Sequence, residues 1–355
     1  MVQASGRETR ANSNRVEASM SVKQFQAPPL YVGVDVSKDE LVVAFFRAAA
    51  GGCTEASFSN DRRGHRRLVQ RISKEGGCHR LVFESTSNYS VDLACALQRA
   101  GVPACEINPR QARSYADSLN RRAKTDRVDA AVLALAARHL DVPLWTPPTP
   151  QALELRNLLR RVSELRSIGA AEKNRLHAQQ AATALGRTVQ RSIQRQIKCL
   201  QRERELLLRE ARKLVERTPE LLANFKLLLS MKGIAEFSAL SILSELACSP
   251  PQLGCRQWVA WAGLDPRPRE SGQRRPGRHI SRMGNKYLRV ALFMPALVAA
   301  TRPGAIRDYY VQLLKRGKDK MLALCAVMRK MLHAIWGMLH HQQPFMPDLF
   351  CGKRP

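Results

Sequence analysis

The run Tyr31-Val-Gly-Val-Asp35-Val36 is apolar enough to be a strand, yet it carries a carboxylate. A second run, Leu81-Val-Phe-Glu84, ends on another. Asp and Glu are depleted from strands and rarely buried, so an acid in such a run needs a chemical reason. Two more acids, Asp126 and Asp129, open an Ala/Leu-rich helical stretch. Residues at i and i+3 share one helix face, so both can point at one spot. Taken alone, Asp-x-x-Asp at a helix start commonly offsets the helix dipole. Taken with Asp35 and Glu84, the pair completes an all-carboxylate set. Hard divalent ions prefer such oxygens, and two Mg²⁺ ions roughly 3.5–4 Å apart clamp the attacking and leaving oxygens of a phosphodiester.

The charge of the chain points the same way. Its 355 residues carry a formal net charge of +28, with a pI near 10.6. A field of that sign favours nucleic acid or an anionic surface over small neutral substrates. No uncharged stretch reaches the roughly 18 apolar residues of a membrane span; the longest candidate, Val290 to Ala300, contains Pro295 and is bounded by arginines. No apolar leader opens the sequence, so no secretory signal is expected. The nine cysteines show no Cys-x-x-Cys spacing and no clustered histidines, which argues against zinc and a disulfide framework. Reduced thiols in a cytoplasmic, membrane-free protein are the expectation.

Four segments are expected. Residues 1–28 are polar, basic and aperiodic, and read as a disordered tail. Residues 29–148 alternate β-like runs (Tyr31–Val36, Leu41–Phe46, Arg80–Glu84, Ala104–Ile107) with helical stretches near Asp61–Ser73, Ser90–Arg99, Arg110–Ser118 and Asp126–Leu140. That pattern predicts a mixed sheet with helices packed on it. Asn60-Asp61 and Asn108-Pro109 are helix-entry signals, and Trp145-Thr-Pro-Pro-Thr-Pro150 is a stiff boundary. Residues 149–222 are charged and helical, with Ile193, Leu200, Leu207 and Leu214 repeating every seven residues. The repeat describes a coiled-coil seam, or an ordinary helical bundle, turning near Gly186. Residues 223–348 begin with a helix-hairpin-helix-like segment around Gly233, continue through a basic loop and end in apolar helices. Ala235 stands where that hairpin motif carries a second glycine, leaving phosphate binding and plain packing both open.

The basic loop, Arg267 to Arg289, carries Arg267, Arg269, Arg274, Arg275, Arg278, Arg282, Lys286 and Arg289 against the single acid Glu270. Such a set can grip several phosphates and stabilise a pentavalent phosphorane, with Gly272, Gly277 and Gly284 allowing close backbone approach. Ser271, between Glu270 and Gly272, is a candidate nucleophile in cationic surroundings. A solvated basic turn that binds nucleic acid without chemistry is the other reading.

From Tyr31 to Pro347 the chain resembles the IS-one-ten family of insertion-sequence transposases. The motifs are Gly33-Val-Asp35-Val-Ser-Lys38, Phe83-Glu84-Ser-Thr86, Ile107-Asn-Pro109, Lys124-Thr-Asp126-x-x-Asp129-Ala130, Gly263-Leu-x-Pro266 with Glu270-Ser271-Gly272, and Ser281-Arg-x-Gly284-Asn285. The resemblance implies an RNase H-like (RuvC-like) α/β N-terminal domain, a coiled-coil middle and a mostly α C-terminal transposase domain. It implies that Asp35, Glu84, Asp126 and Asp129 bind Mg²⁺, with Mn²⁺ as a substitute, and that Ser271 forms a covalent phosphoserine with DNA. Lys124 and Asn285 join the basic residues as nucleic-acid contacts. Donor and target double-stranded DNA, a structured guide RNA and a homo-oligomer (dimer or tetramer) sharing acids and serine between subunits are the implied partners. The implied setting is the bacterial cytoplasm, on the nucleoid. Two other functions stay open: a hydrolytic junction-resolvase-like nuclease using the same acids, and a non-catalytic nucleic-acid scaffold.

Overall fold

The structure is a computed structural model that describes residues 29–47, 52–85, 89–120, 125–181, 187–267 and 279–350. The expected tail, Lys124, Ser271, Arg269, Arg274, Arg275 and Arg278 lie outside the described residues.

The N-terminal part builds one sheet from β1 (Leu30–Val36), β2 (Glu40–Arg47), β3 (Gly52–Ser59), β4 (Arg80–Glu84) and β5 (Ala104–Ile107), in the order β3-β2-β1-β4-β5. The β1–β2 and β2–β3 pairs are antiparallel, whereas β1–β4 and β4–β5 are parallel. Alternate residues of a strand face opposite sides, and both sides here are covered. Val32, Val34, Val36, Leu41 and Val43 pack under α1 (Arg62–Lys74) and α2 (Val91–Arg99) through Leu68, Ile72, Leu93 and Leu97. On the other side α3 (Pro109–Ser118) and α4 (Asp126–His139) cover Ala44, Phe46, Val82 and Ile107.

Helix entries fall where cap residues stand. The Asp61 carboxylate accepts the Gly64 amide at 2.7 Å, Asn108 accepts that of Arg110 at 2.9 Å, and Thr125 accepts that of Val128 at 3.3 Å. Each satisfies an amide the first helical turn leaves unpaired. β3 is an addition to the four expected runs: it is an edge strand, mostly exposed or half-buried, so it shows no clean apolar alternation. The proline-rich boundary is partly pinned to the sheet, with the Trp145 amide donating to the Ala104 carbonyl at 2.8 Å.

Two long helices, α5 (Pro150–Ala181) and α6 (Arg187–Arg217), pack along one another. At 1.5 Å per residue each spans roughly 45 Å. Burial is confined to the base of this hairpin: it stops at Leu165 on α5 and starts at Ala211 on α6. Farther out, Ile193, Ile197, Leu200 and Leu207 are half-buried.

The chain continues through α7 (Pro219–Ser230), α8 (Glu236–Leu246), α9 (Cys255–Trp261), the two-residue strands β6 (Pro266–Arg267) and β7 (His279–Ile280), α10 (Lys286–Thr301), α11 (Ala305–Lys315), α12 (Lys320–His341) and α13 (Pro347–Phe350). Leu155, Leu159, Ala211 and Val215 of the long hairpin belong to the same core as α8, α10 and α12, so the boundary expected near residue 222 is not a break in packing. The turn between α7 and α8 is itself packed: a side chain at Gly233 would collide with the Pro295 carbonyl and Ala299 of α10. Val290–Ala300 is not the strongest membrane-like segment. α12 is long and apolar enough by length and composition, but Leu324, Val327, Met328, Met331, Leu332 and Ile335 bury its inner face in the core.

Candidate active site

Parallel pairing continues from Val34 opposite Phe83 to set Glu84 beside Asp35 at the carboxyl ends of β1 and β4. Both stand on the α4 side, because the register partner of Asp35, Val42, and the residue two before Glu84, Val82, pack there. α4 runs opposite to these strands: Arg80, at the start of β4, donates through Nη1 to the Leu140 carbonyl just past the end of α4, at 2.6 Å. The first turn of α4 therefore lies at the acid end of the sheet.

Gly33 fixes how closely helix and sheet meet. A Cβ on it would lie 2.1 Å from the Ala130 carbonyl oxygen and 2.2 Å from the Ala134 nitrogen, so only glycine lets the α4 backbone rest on β1. Two strand residues from Gly33 to Asp35 advance roughly 6.7 Å, the rise of between four and five helical residues. Counted back from the Gly33 contact, that level is Asp126 to Asp129. The backbone thus brings all four acids to one end and one face. Asp35, Glu84 and Asp129 are half-buried and Asp126 is exposed, so the spot opens to solvent.

All four donors are hard carboxylate oxygens, the chemistry that Mg²⁺ and Mn²⁺ take. As the side chains stand, no three His, Cys, Asp or Glu among the described residues form a group able to hold a metal ion. The residues that would hold one are the four acids that the backbone brings to this end of the sheet. Nearby, Arg127 points away, reaching Glu55 of β3 at 3.5 Å.

The basic segment is a β-hairpin at its base: Pro266 pairs with Ile280 and Arg267 with His279. Below that pair the Ser281 hydroxyl donates to the Asp265 carboxylate, and the Ser281 amide donates to the Asp265 carbonyl at 2.9 Å. Ser271 and most of the arginines belong to the connection between β6 and β7, outside the described residues. Arg267, Arg282 and Lys286 are exposed, as a phosphate contact requires.

Two expected nucleic-acid contacts are instead committed within the protein. Asn285 caps α10, its Oδ1 accepting the Tyr287 and Leu288 amides at 3.0 and 3.1 Å, while its Nδ2 donates to Glu245 at 2.7 Å. Arg289 donates through Nη1 to the Ala262 and Gly284 carbonyls at 2.8 and 3.0 Å. Burial, and then the neighbouring Arg282 and Arg110, hold the Arg289 guanidinium below its usual pKa. Gly284 likewise makes a close approach to its own chain, since a Cβ there would meet the Trp261 carbonyl oxygen at 2.1 Å.

Beneath the hairpin lies a polar core that sequence reasoning missed. Glu245, almost fully buried, takes a bidentate pair from Arg160 of α5, both bonds 2.9 Å, and Arg160 lies 4.4 Å from the Tyr287 ring centroid. The signal was present, since Glu245 is a carboxylate inside the apolar stretch Ala239–Ala247. A second omission is Arg110, at the start of α3, which donates through Nη1 to the Arg282 carbonyl at 3.4 Å. β5 ends two strand spacings, roughly 10 Å, from Asp35, so this contact sets the hairpin base beside the acid end within one chain.

Comparison with known proteins follows the same division. Residues 32–184, which hold the four acids, match a family model described as a transposase of the DEDD, IS110 type. Residues 225–311, which hold the basic hairpin, match the Transposase IS116/IS110/IS902 family. Together the two segments span more than half of the chain. A "Pilin gene-inverting protein" of Moraxella bovis is 27% identical over 320 residues, covering 89% of this chain and 97% of that protein. One of the same description from Moraxella lacunata is 27% identical over 321 residues, with the same shares. An "Insertion element IS116 uncharacterized 44.8 kDa protein" of Streptomyces clavuligerus is 37% identical over 86 residues, 24% of this chain and 22% of that one. With the acid-bearing sheet and the basic hairpin each falling inside a matched segment, the chain belongs to the IS110 family of transposases.

Proposed function

We propose that this transposase cuts and rejoins double-stranded DNA through a covalent phosphoserine formed on Ser271, with Mg²⁺ held by Asp35, Glu84, Asp126 and Asp129. The observation that carries the reading is the alignment of those four acids on one face and at one end of a mixed sheet. The order β3-β2-β1-β4-β5, with an acid on the first strand and another at the end of its parallel neighbour, supports a RuvC-like core. Relatives named for inverting a gene support an enzyme that both breaks and reseals strands.

The Ser271 oxygen forms a new ester bond to the scissile phosphorus, and the displaced deoxyribose oxygen departs with a proton. The serine proton passes to solvent or to a neighbouring base. Attack by a strand hydroxyl on the phosphoserine reforms a diester and releases Ser271, so the bond energy is conserved without a nucleotide cofactor. When bound, the metal polarises the phosphate and offsets charge on its oxygens. Arg267 and Arg282, exposed on either side of the connection that bears Ser271 in the sequence, would stabilise the phosphorane. A structured guide RNA and a homo-oligomeric assembly complete the proposal, supported by a positive excess larger than one scissile site requires.

Trapping DNA on the protein tests this. Ser271→Ala should abolish a covalent adduct while DNA is still bound. Asp126→Asn should lower adduct formation by at least about 100-fold, the scale of losing one group that acts on the reacting phosphate, and EDTA should do the same to the unaltered protein. Free cleaved ends with no adduct, and near-normal cutting by Ser271→Ala, would assign hydrolysis instead.

A further inference from the structure

The outer half of α6 carries a basic face that the cleavage site does not use. Arg187, Arg191, Arg195, Lys198 and Arg202 follow one another at spacings of four, four, three and four residues. At about 100° per residue these five fall within roughly 80° of arc. Ile193, Ile197, Leu200 and Leu207, which face α5, lie on the opposite side of the helix. No Asp or Glu occurs between Arg187 and Arg202. All five cations are exposed, and none forms an ion pair among the described residues. Nearer the base the arrangement changes, since Arg212 pairs with Glu236 and Lys213 with Glu210. The row spans 15 residues, roughly 22 Å, with successive charges about 5–6 Å apart.

We infer that this face of the α5–α6 hairpin is a rail for the sugar-phosphate backbone of duplex DNA, separate from the acid end and the basic hairpin. Aligned cations that form no ion pair among the described residues leave electrostatic energy unused on this arm unless an anion covers them. Duplex DNA presents one charge per ~1.7 Å of axis, so a 22 Å length offers ample phosphates for five cations. DNA is the substrate class of a transposase, and an extended arm suits the straight duplex flanking a cut. The helix pair is about 20 Å across, too wide for a major groove of ~12 Å. The arm therefore lies on the backbone ridge and binds without reading sequence. None of this depends on which group is the nucleophile.

The test measures binding of the full-length protein to a 40-base-pair DNA duplex of arbitrary sequence across a salt series. In the first variant all five residues are changed to Gln. A control changes the exposed Arg307, Lys315, Arg316, Lys318 and Lys320 to Gln, removing equal charge elsewhere. A third variant exchanges Arg for Lys and Lys198 for Arg. Matching thermal unfolding curves for all of them establish that each is folded.

The rail variant should lose about 100-fold in affinity, and its slope of log K against log salt should become shallower by about 4. The control should change much less, and the exchange variant should bind like the unaltered protein. Equal losses in rail variant and control would reduce the effect to net charge and overturn the proposal. So would unchanged DNA binding with lost binding of an RNA duplex, which would give the face to RNA. Retained adduct formation at low salt by the rail variant is expected, which separates failure here from failure of the cleavage mechanism.

Discussion

Gly33 shows how one residue sets a catalytic geometry it takes no part in. A methyl group there would sit inside the backbone of α4, and backbone cannot rotate aside as a side chain can. Gly33→Ala is therefore expected to cost about 3 kcal/mol of stability, the upper end of overpacking effects. It should also lift Asp126 and Asp129 away from Asp35, so adduct formation falls further than the loss of folded protein explains. Urea unfolding beside the adduct assay checks both parts. Glu245 is the polar counterpart. Breaking a buried pair leaves an uncompensated charge, and Glu245→Gln should destabilise by about 3 kcal/mol, loosening the cap of α10 with it; a lowered urea midpoint is the readout. The value of both residues lies in what packs against them. Gly33 stood in a motif and Glu245 in an apolar stretch, but neither contact is visible along the chain, because each partner is tens of residues distant.

Elements were legible in proportion to how local their causes are. α1, α3 and α4 begin within a residue or so of the expected positions, since Asp61, Asn108 and Thr125 bond to amides two or three residues ahead. β3 was missed because an edge strand is stabilised by pairing with β2 along its length, and not by burial its own sequence would reveal. The β6–β7 pair, two residues on each side, carries too little pattern to be read from residues alone. Its base should nonetheless matter to chemistry. Ser281→Ala removes the hydroxyl bond to Asp265 and should cost only about 1 kcal/mol of stability, the net worth of one hydrogen bond. If that clasp orients the connection bearing Ser271, the rate of adduct formation should drop about tenfold while affinity for DNA is kept. A rate equal to that of the unaltered protein would show that the connection is positioned by other contacts.

At the scale of the whole molecule, the least legible feature was how the two matched segments meet: Arg110 and Arg282 are 172 positions apart, and no local pattern announces such a contact. The two cores do share a response to acid. His65, on α1, and His333, on α12, are both held below the usual histidine pKa, each chiefly by burial. Asp92 and Asp61 partly oppose the shift at His65, while Arg329 and Arg256 reinforce it at His333. In the unfolded chain each histidine takes its proton near pH 6.5, before the folded one does. Below that pH the unfolded state binds more protons, so the contribution from these groups is complete above about 6.5 and is lost as pH falls toward the folded values. Asp61 and Glu75, lowered by hydrogen bonds to the Gly64 amide and to Arg47 respectively, weaken the fold only in a separate window near and below pH 4. Urea midpoints should therefore decline from pH 7.5 to 5.5, and His65→Gln combined with His333→Gln should flatten that decline while leaving the fall near pH 4. An undiminished decline in the double variant would place the acid sensitivity in other groups.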